Sequence, residues 1–276
     1  MTRVGFIGLG RQGAPIARRI VEQGHELALW ARRPESTAPF ADTAATVVAT
    51  PADVGAASDV VGICVFTDAD VEEVLLGPRG VLAGMAPGGV VAIHSTILPE
   101  TCSSLAIRAA ERGVAVVDAP VSGGGTAAEA GQLLLIAGGD EAAFAACTPV
   151  FETFADPIVH LGGVGAGQMA KAINNLLLSA NMAAAMEAYE FAGALGVDRP
   201  GLARALGHGT GGSAAATIIA DASFDTEYLR VNSAPYFVKD LELVIGIAEA
   251  KGVAFPESAV AFASRAFVDG APSEEG

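Results

Sequence analysis

The sequence predicts an α/β chain in two parts. A doubly wound parallel sheet occupies residues 1–162, and an all-helical domain, entered through a long interdomain helix, occupies residues 163–276. Three observations carry this reading. Short, fully apolar runs alternate with amphipathic stretches through the first half, as in parallel strands covered on both faces. The segment Gly163-Val164-Gly165-Ala166-Gly167 then breaks the pattern. From Gln168 to about Leu195 the chain has no proline and only Gly193, and it is apolar around most of its circumference. That predicts one long helix, buried on most sides.

Residues 4–8 form a continuous apolar strand, and residues 14–23 a helix stopped by Gly24. Strands follow at 26–30 and 59–66, then at 90–94, 115–118 and 133–137. Helices such as 101–111 lie between them. Beyond the long helix, residues 200–206, 214–222, 237–250 and 257–267 read as further helices, and the tail 270–276 as disordered.

Hydrophobic residues make up 51% of the 276 positions and aromatics only 6%, so Ala, Val, Leu and Ile must fill the core. The formal charge of −15 disfavours nucleic acid and anionic membrane surfaces as partners. Any anionic ligand must therefore be met by a locally built site. Cys64, Cys102 and Cys147 are widely spaced and form no metal-ligand pattern; they read as packed thiols in a reducing compartment, with no metal expected. The N-terminal apolar run is short and glycine-broken, unlike a signal peptide. The longest charge-free stretch, residues 80–99, contains Pro87, Gly88, Gly89 and Pro99, unlike a membrane span. The expected location is the cytoplasm.

Gly8-Leu9-Gly10-Arg11-Gln12-Gly13 matches G-x-G-x-x-G, directly after the first strand and at the start of the first helix. In that setting it predicts a Rossmann-type dinucleotide site. Gly8 permits the tight turn, Gly10 lets backbone approach a pyrophosphate, and Gly13 lets helix pack on strand. The helix N-terminus then offers N–H groups to the anion. The second strand ends Trp30-Ala31-Arg32-Arg33, with no acidic residue before Glu35. Two guanidinium groups suit a 2′-phosphate, which favours NADP, with NAD as the alternative.

Four motifs occur in order: Val4-Gly5-Phe6-Ile7-Gly8-Leu9-Gly10 followed by Gly13; Asp118-Ala119-Pro120-Val121-Ser122-Gly123-Gly124; residues 165–175, from Gly165-Ala166-Gly167-Gln168 through Lys171 to Asn174-Asn175; and Lys239-Asp240-Leu241. Together they resemble the β-hydroxyacid dehydrogenase family, which includes 3-hydroxyisobutyrate dehydrogenase and tartronate semialdehyde reductase. The resemblance implies a catalytic lysine at Lys171 and a substrate-carboxylate loop at Ser122, Gly123 and Gly124. It also implies substrate contacts at Asn175 and Lys239, and cofactor contacts at Thr96 and Lys239. It suggests a homodimer or homotetramer. Gln12, His94, Phe66-Thr67 and residues 125–128 depart from commoner forms beside these positions, so the substrate stays open.

Lys171 and Asn175 are spaced i, i+4 and share one helix face. A lysine in an apolar segment near a helix start is disfavoured by the dipole, and both dipole and burial would depress its pKa toward proton transfer near neutrality. The expected mechanism follows: Lys171 exchanges the hydroxyl proton as hydride passes between the alcohol carbon and nicotinamide C4. Ser122 with the Gly123 and Gly124 amides holds the carboxylate, Asn175 bonds the hydroxyl or the carboxylate and fixes its orientation, and Lys239 adds positive charge. Three rivals remain. A 6-phosphogluconate dehydrogenase would carry His where Asn174 stands, imine reductases generally lack the lysine, and a non-catalytic dinucleotide-binding protein would not need the set. None of His25, His94, His160 or His208 has ligand-like spacing, and His94 reads as a packed strand-end residue.

Overall fold

A computed structural model describes residues 2–254 and 257–267. The chain divides into two compact units, Met1–Lys171 and Ala172–Gly276.

In the first unit, β1 (Arg3–Ile7), α1 (Gly13–Glu22) and β2 (Glu26–Trp30) are followed by a 3-10 segment at Pro34–Phe40 and the short β3 (Thr46–Val47). Then come α2 (Pro51–Ala56), β4 (Val60–Ile63), α3 (Asp68–Leu76), α4 (Val81–Gly84), β5 (Val90–Ile93), α5 (Pro99–Ala110) and β6 (Ala115–Asp118). Among the described residues, these strands form one parallel sheet in the order β3-β2-β1-β4-β5-β6. Successive side chains point to opposite faces, and both faces are buried. Val60, Val90, Ala92 and Val117 join the core under α1, whereas Val61, Val91, Ile93 and Val116 join the core with Leu75 and Leu105. This two-sided burial is why the strands read as unbroken apolar runs.

The sheet differs from expectation in two places. The strand expected at 59–66 ends at Ile63, and Phe66 is exposed, because the chain turns there into the Thr67 cap of α3. The strand at 133–137 forms, as β8 (Leu133–Ala137), but outside the main sheet. It pairs antiparallel with β7 (Val121–Ser122) and parallel with β9 (Ala155–His160). Between these strands lie α6 (Gly124–Ala130) and α7 (Glu141–Phe151). His94 is packed among Phe6, Phe151 and Phe154, with its Nδ1 2.8 Å from the Ala119 carbonyl.

The long helix, α8 (Ala166–Ala194), runs from the first unit into the second. α9 (Arg199–Leu206), α10 (Ala214–Asp221), α11 (Thr226–Lys251) and α12 (Glu257–Phe267) follow. Within the second unit Met182, Met186, Tyr189, Ile219 and Leu229 form a buried core, and the Tyr189 hydroxyl donates to the Ala216 carbonyl at 3.3 Å. α11 begins well before residue 237 and includes Pro235. α8 is less enclosed than expected: Ile173, Leu177 and Phe191 lie exposed along it. The tail at 270–276 lies outside the described residues.

Candidate active site

The glycine turn stands at the carboxyl edge of β1, next to the end of β2, where Ile7 is in register with Trp30. Gly8 takes φ +100°, and a Cβ there would lie 2.1 Å from the Cys64 carbonyl oxygen. A Cβ on Gly13 would lie 1.9 Å from the Gly8 oxygen, so the start of α1 presses directly on the turn. A Cβ on Gly10 would meet nothing within 4 Å, which leaves its backbone open to a ligand. Leu9 is buried, Gln12 is the N-terminal flank of α1 without a side-chain cap, and Arg11 is exposed. The first turn of α1 carries no acidic residue. Its N–H groups are therefore presented to an anion without a competing carboxylate.

Arg32 and Arg33 are exposed just past β2. Arg32 is not a lone cation: its Nη1 lies 3.2 Å from Asp70 Oδ1. Asp70 in turn completes the capping box of α3, its Oδ2 accepting from the Thr67 amide at 3.1 Å and hydroxyl at 2.7 Å. These Thr67 hydrogen bonds, and then Arg32, hold the Asp70 carboxyl below its ordinary range against the opposing effect of burial. Asp70 was not singled out from sequence, although Thr67-x-x-Asp70 carries a cap signature.

The Ser122 loop lies against the glycine turn, since a Cβ on Gly125 would sit 3.1 Å from the Arg11 carbonyl. Ser122 ends β7, Gly123 flanks α6 with φ +129°, and Gly124 opens it.

The start of α8 is fastened to the sheet by two buried polar residues. Asp118, at the end of β6, accepts the Gly165 N–H at Oδ1 (2.7 Å) and the Gln168 N–H at Oδ2 (2.9 Å). Burial pushes its carboxyl up, opposed by these amides. Asp118 gives the N–H groups at the start of α8 a charged acceptor, so the helix dipole bears on Lys171 less than the sequence alone predicts. The Gln168 side chain bonds the loop after β5: Nε2 donates to the Ser95 carbonyl at 2.7 Å, and Oε1 accepts the Ile97 N–H at 3.1 Å. Thr96 sits between those two residues. Lys171 follows on the same helix, only 7% exposed.

In the second unit Asn175, one turn beyond Lys171, is also buried. Its Nδ2 donates to Asp240 Oδ2 at 2.7 Å, and its Oδ1 accepts from Asn174 Nδ2 at 2.9 Å. Lys239 adjoins Asp240 on α11. Among the described residues no three His, Cys, Asp or Glu side chains form a group that could hold a metal ion. No helix there is long and apolar enough to cross a membrane.

Residues 3–165 match a family described as the NAD binding domain of 6-phosphogluconate dehydrogenase, and residues 165–271 match one described as NAD-binding of NADP-dependent 3-hydroxyisobutyrate dehydrogenase. The chain belongs to the β-hydroxyacid dehydrogenase family. As a member it is an oxidoreductase of the dehydrogenase class. An L-threonate dehydrogenase of Cupriavidus necator is 33% identical over 94% of this chain and 87% of its own length. An uncharacterized oxidoreductase of Mycobacterium tuberculosis is 40% identical over 77% and 73%. The solved 3-hydroxyisobutyrate dehydrogenase of M. tuberculosis, with L-serine, superposes at a TM-score of 0.81 with 30% identity, covering 96% of this chain and 91% of that one. A Streptomyces aurantiacus imine reductase, at 20% identity and a TM-score of 0.69 over 95% of this chain and 93% of its own, shares the fold alone.

Proposed function

We propose that this β-hydroxyacid dehydrogenase interconverts a small β-hydroxy acid with its oxo acid or semialdehyde, with Lys171 as the general acid and base. One observation carries the reading: a buried lysine stands on the first turns of a helix whose start is tied, through Asp118 and Gln168, to the carboxyl edge of the parallel sheet. That edge is where open α/β sheets bind ligands, and here it also carries the glycine turn.

The residues present fit a dinucleotide. The open backbone at Gly10 and the uncapped α1 N-terminus suit a pyrophosphate held across Gly8, Leu9, Gly10, Arg11, Gln12 and Gly13. Arg32 and Arg33 suit a 2′-phosphate, which ranks NADP ahead of NAD. Thr96 and Lys239 are assigned to the cofactor by family resemblance. When bound, the dinucleotide would supply the hydride acceptor for oxidation and the hydride donor for reduction.

The chain's own residues do the rest. Ser122 and the Gly123 and Gly124 amides hold the substrate carboxylate. Asn175, its amide fixed by Asp240 and Asn174, orients the substrate through its hydroxyl or carboxylate. Lys171 removes the hydroxyl proton during oxidation and returns it during reduction. Lys239 offsets the acidity of the chain at the site, where an anion must enter. In this scheme residues 1–162 bind the dinucleotide, and residues 163–276 serve substrate binding and assembly of a homodimer or homotetramer in the cytoplasm. The exposed Ile173, Leu177 and Phe191 of α8 support that assembly.

The test is a screen of β-hydroxy acids and short aldehyde-acids with each cofactor, following absorbance of the reduced nicotinamide. Turnover of a free acid but not of its methyl ester supports the proposal. Tight NADPH binding with no oxidation of any hydroxy acid contradicts it.

A further inference from the structure

We propose that Gln168 is a positioning residue for this reaction: its side-chain amide clamps the backbone on both sides of Thr96, and so fixes the nicotinamide end of the cofactor relative to the helix turn that carries Lys171. The inference rests on the roles given above to Thr96 and Lys171.

Gln168 is fully buried. Its Nε2 donates to the Ser95 carbonyl and its Oε1 accepts from the Ile97 N–H, so it gives the loop the pair of bonds that a neighbouring strand would give. Residue 96 alone lies between the two bonded positions. The loop is pinned from the other side as well, because Ser95 Oγ accepts the Val65 N–H at 2.9 Å. The main-chain N–H of Gln168 donates to Asp118 at 2.9 Å. One residue therefore joins the exits of β5 and β6 to the first turn of α8. Lys171 follows three positions later, on the next turn of the same helix.

The chemistry explains why the residue is a glutamine. A primary amide carries its donor and its acceptor on two adjacent atoms of a neutral side chain, and glutamine has the length to bring both to the loop. A glutamate cannot donate to the Ser95 carbonyl, and a leucine leaves a buried carbonyl and a buried N–H without partners. A shift of about 1 Å between reacting groups costs roughly 100-fold in rate, so a tether at this point acts on the chemical step.

The experiment compares NADPH with adenosine 2′,5′-bisphosphate, which lacks the nicotinamide half, in titrations of wild type, Gln168→Leu and Gln168→Glu. Wild-type affinity for the bisphosphate is expected in both variants, with NADPH weakened about tenfold, the loss from one or two hydrogen bonds. In turnover, kcat should fall about 100-fold with little change in KM for the hydroxy acid. The primary deuterium isotope effect from a hydroxy acid deuterated at the carbon that bears the hydroxyl should rise as hydride transfer becomes limiting. A purely structural role would weaken both ligands in parallel. Should Gln168→Leu fail to fold, Gln168→Asn, one methylene shorter, is read by the same ratio. An unchanged ratio with wild-type kcat in any folded variant overturns the proposal. The binding ratio does not depend on proton transfer, so it is independent of whether Lys171 proves to be the acid–base.

Discussion

Asp118 and Gln168 meet through a single 2.9 Å hydrogen bond, from a buried main-chain N–H to a buried carboxylate, and with it the last residue of β6 caps the start of α8. The other carboxylate oxygen takes the Gly165 N–H. Asp118→Ala leaves both donors without that acceptor and is expected to destabilise the protein by about 3 kcal/mol, with Asp118→Asn costing less. Urea unfolding of the two variants checks this. Wild-type stability in Asp118→Ala would show that the cap is dispensable.

Gly10 and Gly13 should behave oppositely. A Cβ at position 13 collides with the Gly8 carbonyl, so Gly13→Ala is expected to lose on the order of 2 kcal/mol of stability. Position 10 has open space around it, so Gly10→Ala should unfold at the wild-type temperature yet bind NADPH at least about tenfold more weakly, because the new methyl occupies the pyrophosphate's approach. Thermal melts beside fluorescence titrations separate the two effects.

Arg32 is expected to set the cofactor preference. Arg32→Ala should weaken NADPH by about tenfold or more while leaving NADH nearly unchanged, because only the 2′-phosphate uses the guanidinium. Its loss should barely alter stability, since the Asp70 pair is largely exposed on the arginine side. Equal losses for both cofactors would remove the case for NADP.

His94 gives the fold an acid limb. Burial holds its imidazole down at about 4, against the smaller opposing pull of the Ala119 carbonyl. The unfolded chain binds that proton near pH 6.5 and the folded chain does not. Stability from this group is therefore complete above about pH 6.5 and is lost as pH falls toward 4, on the order of 3 kcal/mol in all. Unfolding curves at pH 7 and 4.5 should show the drop, and His94→Gln should flatten it.

Legibility from sequence followed the range of the interactions. β1, the glycine turn and α1 are contiguous, and each glycine answers a local collision, so the residues announce them. β7 is two residues long and β9 contains Asp156 and Pro157, so neither shows an apolar run, and β8 was assigned to the wrong sheet for lack of its partners. The front of α11 was hidden by Pro235 and its polar neighbours. Lys171 and Asn175 were legible as a helical pair. The residues that hold the site in place were not: Asp118 reaches Gly165 across 47 positions and Gln168 reaches Ser95 across 73, and no local pattern encodes such contacts.

In this scheme the amine of Lys171 carries the proton of the alcohol. Measuring kcat and NADPH affinity together for Lys171→Ala decides whether it does. The expected result is a fall in kcat of at least about 100-fold, the scale of a lost general acid–base, with NADPH bound as in wild type. Turnover of the hydroxy acid at the wild-type rate in that variant would contradict it.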